Sequence, residues 1–214
     1  MMREMRSGKE VYWIDRITSP SSPPPSPQTF NALRGVAYCK SLDLLLLCDF
    51  NNKRIIIIKG MSGEYHSHIP LPFKPYDIAL SLSSNRMIIS DASNNQVHIY
   101  SITMSMISGG ESIEKAFIAL PHPSIELGDK SSKPSYPLHF HYPWGVAIHS
   151  SANYFAVVDS YNSRVKFYKL DDFSFISSLN TSFSRPCAIH ICKSLQFIVV
   201  SDVGNQNIIE ITGG

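Results

Sequence analysis

A chain of 214 residues and 23.9 kDa has enough material to bury a core unaided, which excludes a cysteine-stapled miniature. Nineteen Lys and Arg against seventeen Asp and Glu leave a formal charge of +2, so bulk electrostatics point neither to a nucleic-acid binder nor to an acidic solvating tail. Only 17% of residues are charged, against roughly a quarter in an average soluble protein, and fourteen prolines punctuate a chain that is 43% apolar. That balance favours short strands and many turns over long surface helices.

The head, residues 1–32, holds one segment of strand character, Glu10–Asp15. A linker follows over Thr18–Gln28, whose five prolines enforce extended backbone. No apolar h-region follows the basic residues at the N-terminus and no run approaches eighteen apolar residues, so a soluble, cytoplasmic protein without a membrane partner is expected. The four cysteines, Cys39, Cys48, Cys187 and Cys192, lack zinc-ribbon spacing and fall in apolar stretches, where they read as reduced core residues.

From residue 33 the chain repeats itself. Leu33-Arg34-Gly35-Val36-Ala37 recurs as Pro75-Tyr76-Asp77-Ile78-Ala79, Pro143-Trp144-Gly145-Val146-Ala147 and Pro186-Cys187-Ala188-Ile189-His190. Sixteen residues after the first position of each copy stands an Asp, with an Asn three residues later: Asp49 and Asn52, Asp91 and Asn94, Asp159 and Asn162, Asp202 and Asn205. The Asp positions step by 42, 68 and 43, so the second repeat carries an insertion of about 26 residues between Ile102 and Tyr142. The insertion is turn-rich and reads as a long surface loop with one strand near Lys115–Leu120.

Each repeat holds short β-branched runs bounded by turn residues. The first reads Val36–Cys39, Leu44–Cys48, Ile55–Ile58 and Tyr65–Leu71. The second reads Ile78–Leu80, Met87–Ile89, Val97–Ile102 and Ala116–Leu120, and the third Val146–Ile148, Tyr154–Val158, Val165–Tyr168 and Phe173–Leu179. The fourth stops after its third run, Ile208–Ile211. Runs such as Leu44–Leu47 and Ile55–Ile58 lack polar alternation, which predicts strands covered on both faces. A four-stranded antiparallel cassette of this length, buried against copies of itself, is a β-propeller blade, and the fold class expected is all-β with four blades near 33–74, 75–142, 143–185 and 186–214. A β-sandwich is the alternative, but its strands alternate and do not recur in fours.

The third copy, Pro143-Trp144-Gly145-Val146-Ala147 followed by Asp159-Ser160-Tyr161-Asn162-Ser163-Arg164, resembles the NHL repeat, Pro-x-Gly-Val-Ala and then Asp-x-x-Asn-x-Arg. The resemblance spans residues 33 to about 211. The other copies depart from it: Leu33 replaces the Pro, Asp77 and Ala188 the Gly, and Gln96 and Asn207 the Arg kept at Arg54 and Arg164. The Asp and Asn of each copy are expected to fix the hairpin between second and third strands as scaffold, since short side chains of this type accept from nearby backbone N–H groups. Two closures stay open: a four-bladed ring in which residues 10–15 supply the missing outer strand, and a truncated form of the six-bladed ring usual in the family, with Val11–Asp15 the remnant of an eroded blade.

The sequence carries no phosphate loop, no His-Glu-x-x-His and no Gly-x-Ser-x-Gly, so neither a catalytic residue nor a cofactor is expected. Two His-x-His pairs, His66/His68 and His139/His141, each put both imidazoles on one strand face, but a third ligand at repeat spacing is missing, and no metal is assigned. The resemblance extends to propeller enzymes, peptide-amidating lyases with an axial zinc or lactonase-like hydrolases. For the axial zinc of such a lyase, the innermost strands carry His149 and His190 near the ends of their first strands, two positions where a three-His site needs a third. The commoner family use is a rigid disc presenting loops to protein or single-stranded RNA, without duplex DNA. The loops that enter each blade and the turns between second and third strands share one rim. There the sequence sets Arg34, Phe50, Asn51, Lys53, Lys74, Tyr76, Tyr142, Trp144, Tyr161 and Arg185 as the expected binding residues, with rings to stack on bases or fill protein pockets and cations to meet phosphates.

Overall fold

The computed structural model describes residues 30–102, 125–128, 139–180, 182–192 and 197–212. The strand expected at Glu10–Asp15 and the one near Lys115–Leu120 lie outside these residues. Four antiparallel sheets account for all fifteen described strands. Blade 1 is β1 (Leu33–Cys39), β2 (Leu44–Asp49), β3 (Arg54–Lys59) and β4 (Tyr65–Pro70), hydrogen-bonded in that order. Blade 2 is β5 (Ile78–Ser81), β6 (Arg86–Asp91), β7 (Gln96–Ser101) and β8 (Ile125–Leu127), so its fourth strand comes from within the insertion. Blade 3 is β9 (Pro143–His149), β10 (Tyr154–Asp159), β11 (Arg164–Lys169) and β12 (Phe175–Leu179). Blade 4 has three described strands, β13 (Pro186–Cys192), β14 (Phe197–Asp202) and β15 (Asn207–Thr212).

Left-handed residues recur at the two turns of each blade among the described residues, in blades 1 to 3 at the first turn and in all four at the second. Asp43, Asn85 and Asn153 take φ of +53 to +55° in the first turn, while Lys53, Asn95, Ser163 and Gln206 take +51 to +57° in the second. Asn and Asp tolerate this region through their short polar side chains, whereas Lys53 and Gln206 are held there by the hairpin itself. The repeated register of Asp and Asn thus marks a turn whose strained residue falls just after the Asn.

β1, β5, β9 and β13 pack on one another in sequence and form the inner edge of the blades. Their glycines permit this approach. A Cβ on Gly145 would stand 2.9 Å from the Cys187 carbonyl oxygen and 3.0 Å from the Ala188 Cα, both backbone atoms of the next blade. Gly145→Ala is therefore expected to cost about 1–3 kcal/mol, read as a shift in the denaturation midpoint, because neither neighbour is a side-chain tip that can swing away.

Three apolar clusters fill the junctions. Blade 1 presents Leu46, Cys48, Ile55 and Ile57 to Ile78, Met87, Ile89 and Tyr100 of blade 2. The other side of blade 2, with Ile88, Val97 and Ile99, meets Val146, Phe155, Val157 and Tyr168 of blade 3. The far side of blade 3 meets Ile191, Ile198, Val200 and Ile209 of blade 4. The two-faced burial expected of unalternating runs holds for Ile55–Ile58 and Phe155–Val158. Within Leu44–Leu47 it is corrected: Leu45 and Leu47 are only half-buried, because their side of β2 turns away from blade 2. Cys39 and Cys48 are buried free thiols, while Cys187 and Cys192 are half-buried.

Candidate interaction face

The repeated geometry of each blade rim starts from its aspartate. Asp159 is fully buried and takes the His141 backbone N–H at 2.7 Å, the Asn162 amide at 3.0 Å and the Arg164 Nε at 2.7 Å. Asp49 repeats the pattern with the Asn31 N–H at 2.8 Å, the Asn52 amide at 2.9 Å and the Arg54 Nε at 2.7 Å. Asp202 accepts the Ser184 and Arg185 N–H groups and the Asn205 amide. In blade 2, where Gln96 replaces the arginine, His98 lies 3.3 Å from Asp91 instead. The scaffold role expected of the Asp and Asn pair is thus extended: in blades 1, 3 and 4 the carboxylate clamps the loop that leads into the blade, as well as the turn after it. Backbone bonds from Phe50 and Asn51 to Ala32 and Asn31, and from Ser160 and Tyr161 to Tyr142 and His141, complete the clamp.

Blades 2 and 3 are also stitched at this rim. Ser90 Oγ accepts the Asp77 N–H at 3.0 Å and donates to the Trp144 carbonyl, while an Asp77 carboxylate oxygen accepts the Val146 N–H at 2.9 Å. Burial pushes the Asp77 carboxyl up to about 6, with the hydrogen bonds from Val146 and Ile78 opposing that rise. Asp77 stands where two other copies have glycine, so the stitch is a feature of this one junction.

On this framework the rings form a continuous chain across three blades. Phe50 meets Tyr76 edge-on at 6.0 Å, Tyr76 stacks on Trp144 at 5.3 Å with planes 3° apart, and Trp144 meets Tyr161 edge-on at 6.1 Å. Tyr161 packs on Tyr142 at 4.6 Å and on His141 at 5.2 Å. The Arg34 guanidinium lies over both Phe50 and Tyr76, at 5.6 and 5.3 Å, and the Lys74 ammonium over Phe50 at 5.2 Å while donating to the Asn51 side chain at 3.2 Å. Burial raises the Tyr76 hydroxyl above the usual tyrosine range, so it remains a neutral donor. Tyr142 is held at φ +52° by the Asn95 side-chain oxygen, which accepts its N–H at 2.9 Å. A bulky residue in the left-handed region is strained, and such strain concentrates at working surfaces.

Eight of the ten sequence-expected residues, Arg34, Phe50, Asn51, Lys74, Tyr76, Tyr142, Trp144 and Tyr161, therefore meet in one cluster. Lys53 and Arg185 are exposed on the same rim, Lys53 at the outer end of its turn and Arg185 in blade 4, and neither joins the ring contacts described above. Sequence reading missed His141 as a member, having paired it with His139. Its place in the same lead-in loop as Tyr142 and Trp144 was the available signal. The carboxylates Asp49, Asp91, Asp159 and Asp202 are buried beneath this rim, which leaves its exposed charge cationic.

Other described histidines lie away from the cluster. His66 and His68 lie on β4, where His68 bonds the Tyr65 hydroxyl at 2.9 Å, and His149 accepts the Ala152 N–H at 3.1 Å. Among the described residues no three His, Cys, Asp or Glu are grouped to hold a metal ion, and no helix is long and apolar enough to cross a membrane.

These repeating sheets define a β-propeller, and solved structures of that architecture superimpose on the chain. Hydrazine synthase of Kuenenia stuttgartiensis matches 89% of this chain and 49% of its own at 12% identity and a TM-score of 0.60. The Cps50 (Swd1) β-propeller domain of Myceliophteria thermophila matches 86% and 55% at 13% identity and 0.58, and the WD40 repeats of RRP9 match 87% and 53% at 11% and 0.56. The chain thus spans about half the length of the structures it matches. No protein-family model and no curated protein sequence matches it.

Proposed function

We propose that this chain is a non-enzymatic interaction module of NHL type, which binds an anionic chain, single-stranded RNA or an acidic protein segment, through the ring-and-cation cluster. The observation that carries the reading is the continuity of that cluster: rings from three blades, flanked by Arg34 and Lys74, over carboxylates that are all turned inward. Stacked rings offer adjacent π-faces and edges to bases or to protein side chains, while the cations meet phosphate or carboxylate. The NHL assignment is supported by the third copy, whose Pro143–Ala147 and Asp159–Arg164 motifs coincide with the start of β9 and the turn into β11. The same reading treats residues 1–32 as a head preceding a propeller of 33–214.

The test is fluorescence anisotropy with a labelled random single-stranded RNA and with a labelled Asp/Glu-rich peptide, each at two salt concentrations. Trp144→Ala keeps the backbone that Ser90 bonds and is expected to weaken binding about tenfold or more at unchanged thermal stability. Lys74→Ala and Arg34→Ala are expected to lower the salt slope by about one each when RNA is the ligand. Binding of neither probe, or binding indifferent to Trp144→Ala, contradicts the reading.

A further inference from the structure

Thr18–Gln28 is chemically unlike the blades that follow it. Five of its eleven residues are proline, the others are Ser, Thr and Gln, and none is charged. Pro20 and Pro23, and again Pro24 and Pro27, are spaced three apart, one turn of the polyproline helix, so each pair falls on one side of it. Segments of this kind dock on exposed aromatic side chains, because a backbone that is already extended loses little freedom on binding. The rim that carries the ring chain is such a surface. Tyr142 and Tyr161 are 43% and 50% exposed there, and Leu33 beside them at the start of β1 is 43%. The tyrosine hydroxyls and the Trp144 indole N–H are donors, and a polyproline backbone keeps its carbonyls free to accept from them.

The place where the segment joins the blades points to the same surface. Only Thr29 and Phe30 separate Gln28 from Asn31, and Asn31 is fastened to the rim. The Asp49 carboxylate accepts the Asn31 N–H at 2.8 Å, while the side-chain and backbone oxygens of Asn31 accept the Asn51 amide at 3.0 Å and the Asn51 N–H at 3.1 Å. Phe50, the first ring of the chain, donates its N–H to the Ala32 carbonyl at 3.3 Å. The segment is thereby tethered beside Phe50. Ala32 and Tyr142 hold corresponding places before β1 and β9, both at positive φ, so blade 1 presents a methyl group where blade 3 presents a ring. From Phe50 the successive ring centroids are 6.0, 5.3 and 6.1 Å apart, to Tyr76, Trp144 and Tyr161. At about 3.1 Å per residue, eleven extended residues reach past all four rings.

We propose that Thr18–Gln28 docks on the ring chain of its own molecule, with its prolines against Tyr76, Trp144 and Tyr161, and competes there with any external ligand. A short tether sets an effective concentration in the millimolar range, so a segment that binds weakly as a free peptide still occupies the face. Being uncharged, it makes no ion pair with Arg34 or Lys74, and an anionic ligand that does so displaces it. The inference rests on this rim being a docking face, and not on which ligand the rim takes.

Acrylamide quenching of Trp144 emission in the full chain tests it, with Trp13→Phe leaving Trp144 as the single tryptophan. Replacing all five prolines together, Pro20→Ser, Pro23→Ser, Pro24→Ser, Pro25→Ser and Pro27→Ser, is expected to raise the quenching constant about twofold at unchanged melting. A synthetic Thr18–Gln28 peptide added to that five-serine chain at millimolar concentration is expected to lower it again. The five-serine chain is also expected to bind the RNA or acidic-peptide probe about threefold more tightly, because its face is no longer occupied. Quenching that is the same in both chains overturns the proposal, as does a five-serine chain on which the peptide has no effect. Quenching that falls as protein concentration rises also overturns it, since the segment would then come from a second copy. If the quenching changes as expected and neither probe binds, the docking stands and the reading of this rim as a site for anionic chains fails.

Discussion

Replacing Asp159 by alanine is expected to cost about 3–5 kcal/mol of folding free energy, enough to abolish a marginally stable fold. The carboxylate is fully buried and bonds His141, Asn162 and Arg164, with Lys166 at 3.6 Å. Arg164 is 8% exposed and Lys166 fully buried, so the substitution withdraws a carboxylate that pairs with both cations. Desolvation already lowers the Lys166 ammonium to about 8, an effect that Asp159 opposes. The same change frees the His141 N–H and loosens the loop that carries Tyr142 and Trp144. Urea denaturation measures the loss; a drop below about 1 kcal/mol would show that the clamp is dispensable. Asp159→Asn is expected to fall between, since it keeps an acceptor but not the charge.

Asp77→Asn is expected to act in the opposite direction and to depend on pH. The Asp77 carboxyl is raised from 3.8 to about 6 in the folded chain, so the folded state holds its proton more tightly than the unfolded state. Between those two values the folded state binds more protons, and stability from this group falls as pH rises. Above about pH 6 the penalty is fully present and amounts to about 3 kcal/mol; below about pH 4 it is absent. Asparagine still offers an oxygen to the Val146 N–H without the buried charge. The variant should therefore be more stable than wild type at pH 7 by up to about 3 kcal/mol and equal to it near pH 4. Denaturation midpoints at the two pH values check this, and a gain that is the same at both would mean that burial of the charge is not its origin.

The fold was legible because register survives in every copy. Asp49, Asp91, Asp159 and Asp202 each stand sixteen residues into their repeat, and each ends the second strand of its sheet. The fourth strand of blade 2 was not legible: Ile125–Leu127 is a three-residue strand inside a turn-rich insertion, too short for periodicity to register. Most of the candidate face was legible from topology alone, since knowing that lead-in loops and second turns share a rim suffices to group Phe50 with Tyr76 and Trp144 with Tyr161. What sequence did not yield was the role of Asp77. Its departure from glycine reads as a weakened motif, whereas in three dimensions it accepts the Val146 N–H from the next blade.

Hydrogen exchange on the chain with and without a saturating amount of whichever probe binds, the single-stranded RNA or the acidic peptide, tests the account most directly. Added protection is expected in 31–34, 50–51, 74–76, 141–144 and 160–162, the segments that carry the ring chain, and none in the opposite turns at 40–43, 82–85 and 150–153. Protection confined to those opposite turns would contradict the assignment of this rim as the binding face.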